Sequence, residues 1–140
     1  MISEAGVEIL NQGNTIRRIE NIDSRAVGSA LGRIFVEMDQ IQGEFPSITV
    51  TDFADPEDCK DGLQKLIHTM TVTIWAEKMS QINDIMKEVI NDLVGIRGVW
   101  GGRNISGIRL GLVGPVIPRE LKEDQRIYGR PVDFEVYMHY

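Results

Sequence analysis

From residue 69 the chain reads TMTVTIWAEKMSQINDIMKEVINDLVG, and its apolar rhythm changes once along the way. Up to Trp75 it alternates, with Met70, Val72 and Ile74 on one face and Thr69, Thr71, Thr73 and Trp75 on the other. That is the period of a strand, and β-branched threonines suit a pleated surface. Then the period lengthens. Ile82, Ile85, Met86, Val89, Ile90 and Leu93 fall at i, i+3, i+4, i+7, i+8 and i+11, which draws one apolar stripe down a helix. Asp84, Lys87, Glu88, Asn91 and Asp92 take the wet side. Ser80 stands where an N-cap is wanted and Gly95 where a helix stops.

The rest of the chain carries the same two rhythms. Val7 and Leu10, then Ile16, Ile19 and Ile22, recur at threes over residues 2–22, and Gly13-Asn14 divides that stretch into two turns or helices. In RIFVEM, Ile34, Val36 and Met38 alternate with Phe35 and Glu37 as in a strand. QIQGEFPSITVTDF reads as a turn and a second strand, with Pro46 at its start, where a missing N–H is tolerated. The acidic ADPEDCKDG predicts an exposed loop or short helical turn. Residues 95–107, rich in glycine, predict an irregular segment. IRLGLVGPVIP alternates again, Ile108, Leu110 and Leu112 facing together. RELKEDQRIYGRP has no apolar period and reads as a charged connection. VDFEVYMHY closes the chain with Val132, Phe134, Val136 and Met138 inward and Asp133, Glu135, Tyr137 and His139 outward.

Strands with one polar face ask for an antiparallel or mixed sheet covered by helices on one side. The expected fold is α+β: a two-layer sandwich in which four to five mostly antiparallel strands pack against a long amphipathic helix and an N-terminal helix. No repeat or linker divides residues 1–140, so one domain is expected. The uncovered sheet face carries Phe35, Thr49, Thr71, Thr73, Trp75 and Tyr137, in part too apolar for water, and a neighbouring subunit is one way to cover it.

Charge narrows the partners. Fifteen basic against 21 acidic residues give a net charge of −6, the wrong sign for tight phosphate binding but compatible with DNA sliding past. A single cysteine, Cys59, excludes an internal disulfide and fits a reducing compartment. No apolar run reaches the roughly 20 residues of a membrane span. The start MISEAGVEIL lacks the basic and apolar regions of a signal peptide, so a cytoplasmic site of synthesis is expected.

Chemistry is scarce. His68 and His139 sit apart at strand edges, with no GxSxG elbow and no spacing for a triad or structural zinc. An EF-hand loop started at Asp55 puts Cys59 fifth and Lys60 sixth, where an oxygen ligand and glycine are needed. GRNISGIRLG mimics a phosphate loop, yet Ile108 and Arg109 stand in place of Lys and Ser/Thr, and a strand follows instead of a helix. Neither an enzyme nor a metal or cofactor site is expected. Two residue types fit protein contact: the aromatic anchors Trp75 and Trp100, and the arginines Arg103, Arg109, Arg119, Arg126 and Arg130, with Tyr128 beside them. Core packing for Trp75, and separate surface arginines, are the plain alternatives.

The order of elements in GRIFVEMDQIQGEFPSITV, TVTIWAEKMSQINDIMKEVINDLVG and RLGLVGPVIPRELKEDQRIYGRPVDFEVYMHY resembles the tail terminator (tail completion, head–tail joining) proteins of long-tailed bacteriophages, over roughly residues 30–140. Residues 95–107 and 119–126 depart from that pattern. The resemblance implies a structural virion protein of the tail or neck, made in the bacterial host cytoplasm and having no active site or cofactor. It implies a homo-oligomer, a hexameric ring closed head to tail, that caps the tail tube protein, stops elongation and presents a surface to the head–tail connector or stopper. Double-stranded DNA would pass through the lumen without specific binding, and no membrane is involved. The loops at 52–62, 95–107 and 119–129 are the expected contacts. Trp100→Ala and Arg103→Glu are expected to fold and to fail in assembly. Another neck or head-completion protein of the same small architecture is the alternative. A small-molecule-binding α+β domain, with ligand between the sheet and helix 80–93, is a third reading, disfavoured by aliphatic inward positions.

Overall fold

The computed structural model describes residues 2–23, 33–36, 44–53, 67–122 and 125–138. Among the described residues, three helices and seven strands follow the order α1 (Ile2–Gln12), α2 (Asn14–Ile22), β1 (Ile34–Phe35), β2 (Ser47–Phe53), β3 (Ile67–Ala76), α3 (Met79–Leu93), β4 (Gly98–Trp100), β5 (Arg103–Val113), β6 (Ile117–Lys122) and β7 (Gln125–Met138).

All strands join one sheet in the order β1-β2-β3-β7-β5-β4, with β6 paired to β7 off that path. β1 runs parallel to β2 and every other pairing is antiparallel. The α+β class therefore holds, but the sheet is a mixed one larger than the expected four to five strands, and the fold is not the plain two-layer sandwich expected. The extra strands come from two stretches read as irregular or charged connections. Residues 98–105 form the β4–β5 hairpin, residues 117–122 form β6, and residues 125–131 form the first half of β7. β7 is 14 residues long because its two halves serve different neighbours on one edge: 125–129 pairs with β6 and 132–138 with β5.

The inward faces follow the alternation. Ile48 and Val50 of β2, Met70, Val72 and Ile74 of β3, and Val132, Phe134, Val136 and Met138 of β7 join one buried cluster with Ile82, Ile85, Val89 and Leu93 of α3. Those four α3 side chains are fully buried, each contributing about 1.5–3 kcal/mol by transfer from water. Ile2, Ile9, Leu10, Ile16 and Ile19 bring α1 and α2 to the same cluster. α3 starts at Met79 with Lys78 as its N-cap and no side-chain cap bond, so Ser80 lies inside the first turn and does not cap it. Gly95, at φ +85°, follows the helix end as expected.

The outward face also differs from expectation. A second buried cluster forms there from Phe45, Trp75 and Ile127. The Trp75 ring lies so close over Gly129, its cross-strand partner, that a Cβ there would sit 2.4 Å from a ring carbon. Trp75 Nε1 donates to Thr49 Oγ1 at 3.1 Å. Trp75 is thus covered by its own chain, needing no neighbouring subunit. Within RIFVEM, Ile34–Phe35 is a strand, while Glu37 and Met38 lie outside the described residues, as do the acidic stretch 54–62 and His139.

Ties between distant segments hold the helices in place. Asp92 of α3 accepts the Asn14 and Thr15 N–H groups at 2.9 and 2.7 Å and the Thr15 hydroxyl at 2.6 Å. A carboxylate from another helix thereby caps the N-terminus of α2, where orphan N–H groups and the helix dipole favour negative charge. Asp52 accepts the Ile2 N–H at 2.9 Å in the same way for α1.

Candidate functional site

The residues singled out for protein contact fall on three parts of the surface. The first is the β4–β5 hairpin. Trp100 pairs with Arg103 across Gly101-Gly102, whose φ values of +55° and +75° are those that a two-residue primed turn demands. The turn packs on α1: a Cβ at Gly101 would lie 2.7 Å from the Ala5 nitrogen, and the Gly101 N–H donates to the Glu8 carboxylate. Trp100 is half-buried against the main core and donates to Arg97 O at 3.1 Å. Arg103 is exposed beside it.

The second part is the outward face of β5 and β7. Arg109 Nη1 donates to the Tyr137 hydroxyl at 3.3 Å, and that hydroxyl donates to Glu135 Oε2 at 3.0 Å. Thr71 Oγ1 donates to Asp133 at 2.7 Å. This polar net satisfies the Tyr137 hydroxyl, so the face is not an apolar slab.

The third part is the flank built by the end of β5 and by β6. Leu110 is 40% exposed, Leu112 70% and Ile117 51%. The expectation that Ile108, Leu110 and Leu112 face together holds for Ile108 and Leu110, which pair in register with Val136 and Phe134, and is corrected at Leu112, which falls in the irregular stretch before Val113↔Val132. A Leu-Val doublet followed by Gly-Pro breaks strict alternation in the sequence, and that was the signal available. Beyond it, Arg119 lies with its guanidinium carbon 5.8 Å from the Trp75 ring centroid. Arg126 and Glu120 form an exposed pair at 3.4 Å, worth little to stability.

The remaining two residues are bound up in the fold. Tyr128 packs against the main core. Arg130 donates to Gly114 O at 3.1 Å and to Asn83 Oδ1 of α3 at 3.2 Å, tying β7 to the helix. Together with buried Trp75 they act as packing residues. Arg33, absent from the contact set, is 1% exposed. It donates to Asp23 Oδ2 at 2.7 Å and to Pro46 O at 3.2 Å. Its Nε lies 3.3 Å from Glu44 Oε2 but off hydrogen-bond alignment, so the Asp23 bond is the stronger tie.

Among the described residues, no group of three or more His, Cys, Asp or Glu is placed to hold a metal ion. No helix is long and apolar enough to cross a membrane. No family model matches the chain, and no curated protein matches it by sequence. Among solved structures, the chain is similar to a component of the "Virion of native gene transfer agent (GTA) particle", with a TM-score of 0.48 and 11% identity over 93% of this chain and 95% of that one. A likeness at that level decides neither family nor role.

Proposed function

We propose that this chain is a structural subunit of a phage-type virion, a tail terminator that assembles with copies of itself into a hexameric ring. In this reading the ring caps the tail tube, ends tail growth and offers the surface to which the filled head docks. It catalyses nothing and holds no cofactor. Double-stranded DNA passes through the ring, and the net charge of −6 keeps the subunit from gripping it.

The observation that carries the reading is the β5–β6 flank: Leu112 and Ile117, 70% and 51% exposed beside a sheet edge, in a chain whose Asp52 and Asp92 carboxylates cap its own helices. Exposed aliphatics next to unpaired backbone are a contact surface rather than a reaction centre. The element order shared with tail terminators supports the particular role. Electron microscopy of particles assembled without the protein tests it. Overlong tails without heads are the expected product. Normal-length tails beside heads that have lost their DNA would move the subunit to the neck, and fully normal particles would end the virion reading.

A further inference from the structure

We infer that the open lane beside β5, walled by α3, is a docking site for a short extended segment of another protein, apolar on the side that meets α3 and acidic on the other. This goes beyond the tail reading and does not rest on it, since it concerns what a single subunit can hold.

Backbone defines the lane. β4 pairs with β5 only from Arg103 to Ile105. Farther along, the Gly95 N–H donates to Ile108 O at 3.1 Å, so the Ile108 backbone groups point away from β7. In a pleated strand the groups two residues on point the same way. Among the described residues no strand lies beside Leu110 to meet them. The bulge between Leu110 and Val113 then turns the strand end. From Ile108 to Val113 the lane measures about 16 Å at ~3.3 Å per residue, room for a short strand only.

One wall of the lane is a helix. Met79, Asn83, Met86, Ile90 and Val94 recur at i, i+4, i+7, i+11 and i+15, a stripe along one side of α3. Two ties turn that stripe toward β5. Asn83 accepts from Arg130, which also donates to Gly114 O just past the end of β5; at the other end Gly95 meets Ile108. Between the ties Met86 and Ile90 are only half-buried. Val94 is 43% exposed, and Leu110, on the β5 face that meets the core, is 40% exposed.

The opposite face of β5 carries Arg109. It is exposed and uses one of its five N–H donors, on the neutral Tyr137 hydroxyl. Glu135, its partner on β7, is engaged by that same hydroxyl. Side chains of an added strand alternate between the two faces. Its apolar members would therefore lie under Met86 and Ile90, and its acidic members opposite Arg109. Other occupants leave something unmet. A docked helix would cover the stripe but leave the Leu110 N–H and C=O without partners. Duplex DNA would satisfy Arg109 and leave the stripe in water. A second copy paired edge to edge through the same lane would set Arg109 against Arg109.

The test is amide NMR of the whole chain titrated with a blocked hexapeptide that alternates valine and glutamate. Shifts confined to residues 108–113 and to Met86, Ile90 and Val94 are expected, with exchange of the Leu110 amide slowed about tenfold or more as it gains a bond. Lysine in place of glutamate in the peptide should weaken binding about tenfold, and Arg109→Glu in the protein should reverse that preference. The absence of shifts up to about 5 mM peptide overturns the proposal. So does equal binding of a peptide N-methylated at alternate residues, which cannot add as a strand, and so does binding indifferent to both charge changes. A Leu110 amide already protected in the free chain, and only at concentrations where it sediments as an oligomer, assigns the lane to a second copy and also overturns it. Failure here beside normal tail capping leaves the proposed function standing.

Discussion

At the scale of single residues, charge in this protein is used chiefly to fasten helices. Asp92 accepts two backbone N–H groups and a hydroxyl at the start of α2, a role normally filled by the residue just before a helix. Gly13 occupies that place and has no side chain to offer. Asp92→Ala is therefore expected to lower unfolding free energy by ~1–2 kcal/mol, the range for a lost N-cap, and Asp92→Asn by less, because its amide oxygen can still accept. Urea midpoints at constant m-value measure both; an unchanged midpoint for the alanine variant would contradict the cap. Arg33 makes a second case. It is nearly wholly buried, and Asp23 beside it is 11% exposed, so Arg33→Met removes the buried cation that Asp23 meets at 2.7 Å. A loss of about 3 kcal/mol is expected, seen as a lower melting temperature with native self-association of whatever remains folded.

At the scale of elements, the β4–β5 hairpin shows what the sequence reveals and what it hides. The strand-to-helix change at 67–93 and the closing strand are legible because their apolar period reports one core, and β3, α3 and the second half of β7 appear accordingly. β6 and the first half of β7 are not legible, since Arg119, Glu120 and Arg126 stand at exposed edge positions where side-chain type follows no burial. Gly101-Gly102 between two short strands is a hairpin signal that a loop reading passes over. The partners of Asp92, Asp52 and Glu8 lie 50 to 93 positions away, beyond any local pattern. The exposure of Leu112 was hidden for a different reason: it continues the apolar alternation of Ile108 and Leu110 until the pairing shifts register between Leu110 and Val113. The two turn glycines are also distinguishable by substitution. Gly102→Ala meets open space and bears only the positive-φ strain, about 1 kcal/mol. Gly101→Ala adds a collision with the α1 backbone at 2.7 Å, so a clearly larger loss is expected, together with faster amide exchange in α1. Equal losses for the two variants would separate the hairpin from α1.

At the scale of the whole molecule, the fold has one covered face, one polar face closed by Trp75, Phe45 and Ile127, and one open flank. Trp100 and Arg103 stand at the far end of β5 from that flank and differ in kind. Arg103→Glu changes only an exposed side chain, so folded protein with impaired assembly on tails is expected. Trp100→Ala removes a half-buried ring as well, and should show the same assembly defect plus a stability loss of about 1–3 kcal/mol. Assembly at wild-type yield for Arg103→Glu would take the hairpin out of the contact and leave β5–β6 alone. The account as a whole turns on attachment to the end of a growing tube. Gold-labelled protein mixed with purified, still-elongating tail tubes and viewed by electron microscopy gives the direct answer. Label at a single end of each tube, with elongation stopped there, is the predicted result; label scattered along the tubes or absent from them, with growth continuing, would contradict it.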